Sequence, residues 1–320
     1  MKNYFLTELP SGKLNFGTNL RAVETWMKLL DAENINIIDF FNAKSQTKRE
    51  GICWLIIPKG EDQITTLANR IPNMVEFVKQ CFDKVYCIQE GETTFFQRYS
   101  VKTQSWLHKQ FAASDRIYTQ NEYDKKYYKG LHTNEVKIIR TMLDPSVLEA
   151  SNFLEKEDAI ILPGPMMTEY CGLEQSIVSK EFGNCRIDIP PMGTSRMPKD
   201  SFSSADSVGV NYLEYTLWKQ WMENLSRYKL GYFLVQAIGA ASFPLNCAYH
   251  GIPCIGDSRA DTQRILFPDL SIDYLDLEKA KDLTKKLWID QEFYLYCSNK
   301  AKTQYAKEFN RNRFYQLLEK

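Results

Sequence analysis

The chain has 320 residues, 44% hydrophobic and 25% charged, a composition that excludes a disordered or collagenous protein and leaves room for two domains. Its 40 Lys and Arg balance 40 Asp and Glu, so no global field draws it to nucleic acid or to an anionic membrane. No apolar run approaches the ~20 residues of a membrane helix, and MKNYFLTELPSG at the N-terminus is too poor in apolar residues for a secretory signal core.

Residues 3–7 read as a first strand, followed by a polar loop over 8–18 that holds Gly12 and Gly17. Leu20, Val23, Met27 and Leu30 recur at helical spacing and predict a helix over 19–32. Residues 35–41 and 52–57 are nearly continuous apolar runs, as strands covered on both faces require. A helix over 61–82, interrupted at Pro72, leads to a fourth strand at 85–88 and the polar stretch Gln89-Glu90-Gly91-Glu92. A long helix is expected over 94–113, then a short strand ending at Asn121, a helix over 123–130 and a strand over 136–140. This alternation predicts a parallel α/β sheet, and a linker at 144–157 closes a first domain of residues 1–150.

The second half, residues 151–290, repeats the alternation: strands over 159–163, 186–189 and 207–212, with helices from Gly172 and over 218–226. Residues 271–274 read as extended and 277–288 as a helix, and a long polar helix studded with Tyr and Phe occupies 291–320. The eight cysteines form no CxxC pair and read as buried reduced thiols, which fits a cytoplasmic setting. The three histidines are scattered, which predicts no zinc site. Trp218, Trp221 and Tyr215 read as core residues.

The most informative stretch is residues 228–268. Tyr232, Phe233, Leu234 and Val235 predict a buried strand, and the small residues Ala237, Gly239, Ala240 and Ala241 let a ligand approach the backbone. Ser242 suits an N-cap, Phe243 to His250 a short helix, Gly251 its C-cap, and Pro253 prevents it from resuming. Free amides near Ser242, Phe243 and Leu245 would seat a diphosphate, because orphan N–H groups and the helix dipole favour negative charge.

This strand, small-residue loop, helix and Gly251-Ile252-Pro253 strand start resemble the donor-sugar half of GT-B glycosyltransferases. The resemblance implies two Rossmann-like domains facing a cleft, with the C-terminal helix crossing back to the first domain. It implies transfer of a sugar from a nucleotide-diphosphate donor, a UDP-sugar, to an acceptor hydroxyl on a glycan, lipid-linked or small-molecule substrate, with no metal ion and no tightly bound cofactor. Asn246 stands where the family has a ribose-binding Glu, and Cys171 where it often has Lys or Arg. Arg196 and Lys199 could replace the missing cation. Arg259 is expected to meet a phosphate and Asp261 a sugar hydroxyl, with an Asp261–Arg264 helix pair as the plainer reading.

An acceptor hydroxyl needs a base, and carboxylates beyond strand ends of the first domain are the candidates: Glu90 foremost, then Glu92 and Glu8. Glu92 is expected to be an exposed loop residue, and His250 a structural helix end. Alternatives are a phage-type DNA glycosyltransferase, with Arg98, Lys102, His108 and Lys109 as a thin basic rim, a non-catalytic sugar-nucleotide-binding protein, or an epimerase on the same fold. The absence of GxGxxG, GxxxxGK[ST] and GxSxG argues against nicotinamide, P-loop and hydrolase chemistry.

Overall fold

Each half of the chain uses its apolar runs to build one parallel sheet. The computed structural model describes residues 1–12, 22–43, 47–57, 61–149, 151–164, 166, 170–180, 185–191 and 207–319, and of Phe95 only the backbone. These fall into two units, one holding the chain up to Thr141 and taking it back from Phe314, the other spanning Met142–Arg313.

In the first unit six strands stand in the order β2-β1-β3-β4-β5-β6, all parallel. They are β1 (Asn3–Thr7), β2 (Glu33–Asn36), β3 (Arg49–Ile57), β4 (Phe82–Gln89), β5 (Arg116–Thr119) and β6 (Val136–Ile138). The helices are α1 (Ala22–Leu29), α2 (Ile37–Asn42), α3 (Glu61–Arg70), α4 (Met74–Lys79), α5 (Thr93–Gln97), α6 (Val101–Ala113) and α7 (Glu122–Leu131). Strand alternation sends Leu6, Leu55, Val85 and Ile117 to one face, where they meet Ile64, Met74, Val78, Leu107 and Phe111 of the covering helices. Phe5, Trp54, Tyr86 and Tyr118 line the other face as a run of ring contacts, with Trp54 and Tyr118 centred 5.0 Å apart.

Three expectations change here. The run 35–41 is not one strand: the Asn36 side chain accepts from the N–H groups of Ile38 and Asp39 at 2.9 and 3.1 Å, capping α2 and ending β2. The helix expected over 61–82 is interrupted around Pro72 as its sequence suggests, but it ends at Lys79, and Phe82 already belongs to β4. The helix expected over 94–113 is two, because Ser100 caps α6 by accepting from the Thr103 N–H at 3.3 Å.

In the second unit the order is β12-β11-β10-β7-β8-β9, again parallel throughout. The strands are β7 (Glu157–Ile161), β8 (Arg186–Ile189), β9 (Asn211–Tyr212), β10 (Tyr228–Phe233), β11 (Cys254–Asp257) and β12 (Ser271–Ile272). The helices are α8 (Gly172–Lys180), α9 (Trp218–Leu225), α10 (Ser242–His250), α11 (Asp261–Leu266), α12 (Leu277–Ile289), α13 (Gln291–Glu308) and α14 (Arg311–Glu319). β10 ends two residues earlier than expected, leaving Leu234 and Val235 buried but beyond the ladder. Gly231 lets α10 lie close on this strand: a Cβ there would stand 3.0 Å from Cys247 Sγ and 3.2 Å from the Phe243 ring. Tyr215 is exposed rather than core, and Trp218 and Trp221 are half-buried.

The long C-terminal helix is broken in two, with the Asn310 side chain accepting from the Arg313 N–H at 2.9 Å to start α14. α14 rejoins the first unit, where the Tyr315 hydroxyl donates to the Leu29 carbonyl and Phe314 is buried. No helix among the described residues is long and apolar enough to cross a membrane.

Candidate functional site

Parallel strands bring their carboxyl ends to one edge of a sheet, so the loops after β7, β10 and β11 share an edge in the second unit. Gln175, on the first turn of α8 and fully buried, ties two of them together. Its Nε2 donates to the carbonyls of Tyr170 and Cys171 at 2.5 and 3.3 Å, and its Oε1 accepts from the Leu234 N–H at 3.0 Å. Arg259 ties in the third. Its Nε and Nη2 donate to Asp257 Oδ2 at 2.8 and 2.5 Å, and Nη2 also reaches the carbonyls of Val235 and Gln236 at 3.0 and 2.9 Å. Burial keeps the Asp257 carboxyl above its ordinary range even beside this guanidinium.

Arg259 is thus engaged with the loop itself, not held open for a phosphate as the sequence suggests; its Tyr274 ring contact, 4.6 Å to the centroid, fixes it further. Asp261 opens α11, is 8% exposed and pairs with Arg264 Nη2 at 2.6 Å, the plainer of the two sequence readings. Arg196 and Lys199 lie outside the described residues.

The helix start also differs from expectation. Ala241, not Ser242, is the N-cap of α10, at φ 46°, and it provides no side-chain acceptor; Ser242 is the first helical residue and is exposed. The first N–H groups of α10 therefore have no side-chain cap, the arrangement that accepts an external anion. Gly239 is also left-handed at φ +44°, and a Cβ added there would meet nothing within 4 Å, so the space over the loop is open.

Only three non-glycine residues among those described have positive φ, and two of them, Cys171 and Ala241, stand directly before α8 and α10. Such conformations cost on the order of 1 kcal/mol or more and gather at ligand sites. Burial pushes the Cys171 thiol up, although the Gln236 N–H opposes this, so Cys171 brings no charge to replace a basic residue.

Asn246, in the second turn of α10, is 8% exposed, and its amide is not among the buried polar atoms without a partner, so solvent, or a ligand hydroxyl in its place, reaches it. Phe243 contributes packing, its ring stacked at 6.3 Å from Phe233, and leaves only its N–H for a ligand.

In the first unit the carboxylates stand at the corresponding edge. Glu8 is exposed on a loop pinned by β2: Asn34 Nδ2 donates to the carbonyls of Leu9 and Pro10 at 2.8 Å each, and Asn36 Nδ2 to that of Glu8 at 3.0 Å. β3 lies between β1 and β4, so Glu8 is two strands from Glu90. Glu90 is half-buried, and Gly91 turns the chain at φ +105°. Gln120 Oε1 accepts from the Gly91 N–H at 3.2 Å, and Gln89 Nε2 donates to the Gly91 carbonyl at 3.1 Å.

Glu92 is fully buried, which corrects its reading as an exposed loop carboxylate. The cause is long-range: the Thr93 N–H and hydroxyl both donate to Asp124 Oδ1 at 3.0 Å, and Asn121 Nδ2 holds Asp124 Oδ2 at 2.9 Å. Sequence reading passed over Gln89, Gln120 and Asp124; their only signal was polarity at strand ends and in a first helical turn. Among the described residues no group of three or more His, Cys, Asp and Glu is placed to hold a metal ion.

The helix face offered as a basic rim is engaged with its neighbours. Lys102 Nζ donates to Asn69 Oδ1 at 3.2 Å, Lys109 Nζ to Asn73 Oδ1 at 2.6 Å, and His108 pairs with His132.

No family model matches the chain, nor does any curated protein. Solved structures do match. A mutant of S. aureus TarM, in complex with Fondaparinux, alpha-GlcNAc-glycerol and UDP, aligns with a TM-score of 0.64 at 11% identity, over 83% of this chain and 54% of that one. The chain thus spans about half the length of TarM. Sucrose-phosphate synthase from Thermosynechococcus elongatus aligns with a TM-score of 0.71 at 7% identity, over 100% of this chain and 98% of that one. An alpha-glucosyltransferase in complex with UDP and a 13-mer DNA containing an HMU base aligns with a TM-score of 0.62 at 10% identity, covering 99% and 97%. These likenesses show the fold: two Rossmann-like units of the GT-B type.

His250 ends α10, with its ring 4.9 Å from that of Phe153. Burial, with Lys156 and Lys302 nearby, lowers its pKa to about 3, so it stays neutral and serves packing. A folded-state value below the unfolded one of about 6.5 means that the unfolded chain takes up the proton first. Stability is therefore untouched above pH ~6.5 and falls from there towards the folded value, by about 2 kcal/mol at pH 5. In urea denaturation of the second unit, His250→Phe should remove this acid-side loss; an unchanged slope between pH 6.5 and 5 would contradict it.

Proposed function

We propose that the chain is a glycosyltransferase that moves a sugar from a UDP-sugar to an acceptor hydroxyl. The observation that carries this reading is the second unit's edge. Two helix N-termini, each preceded by a left-handed residue, are tied together through Gln175 and Arg259, with the solvent-reached amide of Asn246 on α10.

In this reading the donor diphosphate docks on the uncapped N–H groups of Ser242 and Phe243, over the space left open at Gly239; with Ala241 as the cap, Leu245 falls in the fourth helical position, where its N–H is committed to the helix. The left-handed Ala241 and Gly239 hold the loop back so that the phosphates can approach the backbone. Asn246 takes a ribose hydroxyl, Asp261 a sugar hydroxyl, and Arg259 keeps the loop in place while adding positive charge beneath it. Arg196 supplies a further cation. As the bond from the anomeric carbon to the diphosphate breaks, negative charge grows on the leaving oxygens. Fixed N–H dipoles stabilise that charge without a metal ion.

On the acceptor side Glu90 takes the hydroxyl proton, with Glu92 and Glu8 as the other candidates. Gln89 and Gln120 fix the Gly91 peptide beside Glu90 and so fix its backbone. The acceptor is a glycan, lipid-linked or small-molecule hydroxyl. A DNA base is the second reading, favoured by the fold likeness to the DNA-bound alpha-glucosyltransferase; the engagement of Lys102 and Lys109 weighs against it. Eight free thiols fit a cytoplasmic setting.

Asn246→Ala should weaken UDP binding, measured by calorimetry, by about 1–3 kcal/mol, the worth of one or two hydrogen bonds. Unchanged affinity would remove Asn246 from the site. Glu90→Gln should slow turnover of the UDP-sugar by ~10²–10⁴-fold while UDP affinity holds. If the loss falls instead on Glu92→Gln or Glu8→Gln, the base is that residue; if all three turn over normally, no carboxylate base operates.

A further inference from the structure

Two of the three histidines meet in the first unit, contrary to their scattered positions in the sequence. His108 lies on α6, and His132 directly follows α7, with its N–H donating to the Tyr128 carbonyl at 2.9 Å. Nδ1 of His108 stands 3.1 Å from Nε2 of His132, and the rings are 5.3 Å apart at an interplanar angle of 28°. The far nitrogen of His108 is 3.5 Å from the Tyr127 hydroxyl. Beside His108 is a cavity of about 10 Å³, lined by Phe96, Leu107, Phe111, Tyr127 and Tyr128 among others, with room for about one water molecule.

With both rings neutral, one N–H donates to the other ring. That spacing is also the spacing of a metal chelate. Two nitrogens each ~2.0–2.1 Å from a tetrahedral ion stand roughly 3.3 Å apart, and roughly 2.9 Å apart in a square-planar site. The two nitrogens face each other head-on, so each ring has to turn by roughly 35–45° for its nitrogen to face a common point. The ion then takes the place of the shared proton. Once Nδ1 of His108 is metal-bound, its Nε2 carries the N–H and donates to the Tyr127 hydroxyl, the outer contact that orients a histidine ligand.

We propose that His108 and His132 form a two-ligand site for a divalent transition-metal ion of the imidazole-binding class. No third His, Cys, Asp or Glu among the described residues joins them, so solvent completes the coordination. The ion staples α6 to the end of α7, whose first turn, through Asn121 and Asp124, holds the Thr93 end of the Glu90 turn. The site is separate from the second unit's edge and stands or falls independently of the glycosyltransferase reading.

The test titrates the tag-free, EDTA-stripped full chain with NiCl₂ by calorimetry; nickel is preferred to zinc because the half-buried thiols of Cys171 and Cys185 bind zinc strongly. One saturable equivalent is expected, lost in His108→Gln and in His132→Gln and weakened about tenfold in Tyr127→Phe. Asn246→Ala should titrate like the parent chain, whatever it does to UDP binding. Electron paramagnetic resonance of Cu²⁺ on the unaltered chain gives a readout free of folding effects: coupling to two imidazole nitrogens is expected. Absence of saturable nickel binding, binding unchanged in both histidine variants, or a copper signal without two coupled nitrogens would overturn the site.

Discussion

The side chain of Gln175 joins two loops that are far apart in sequence, and the candidate donor site depends on it. Its amide is fully buried and uses both ends, donating to the carbonyls at the entrance of α8 and accepting from the N–H just past β10. A buried amide satisfied in this way is rigid, because breaking either contact leaves a polar group without water. Arg259 does the same from β11 through the carbonyls of Val235 and Gln236. The loop that carries Gly239 and Ala241 is thereby held from two sides. That explains how Ala241 can persist in a left-handed conformation that an unconstrained alanine would leave.

The first unit solves a similar problem with different residues. The turn after β4 is held by Gln89 and Gln120, which satisfy the carbonyl and N–H of Gly91, and by Asp124, which draws in Thr93. The result separates two acidic residues that look alike in sequence. Glu92 is sealed from solvent and Glu90 remains partly accessible, because the turn at Gly91 directs them to different surroundings.

Local signals made much of the architecture legible. β1 and β8 fall where their apolar runs place them, α8 begins at Gly172, and Gly251 ends α10 in the left-handed conformation as a glycine C-cap should. What sequence reading missed depended on competition or on distance. Residues 35–41 suit strand or helix equally, and the Asn36 cap decides between them. The burial of Glu92 follows from a contact between Thr93 and Asp124, 31 residues on, and the engagement of Arg259 from carbonyls 23 and 24 residues earlier. An alanine at φ 46° has no sequence signature, so Ser242 looked the better cap. His108 and His132 meet only because α7 ends beside α6.

The central claim is that the uncapped start of α10 receives a nucleotide diphosphate. Hydrogen–deuterium exchange of the full chain with and without UDP tests it at the amides themselves. Bound UDP should slow exchange at residues 239–245, and to a lesser degree at the start of α8, leaving the sheet of the first unit unchanged. Binding of UDP that protects some other segment and leaves residues 239–245 exchanging as in the free chain would contradict the account.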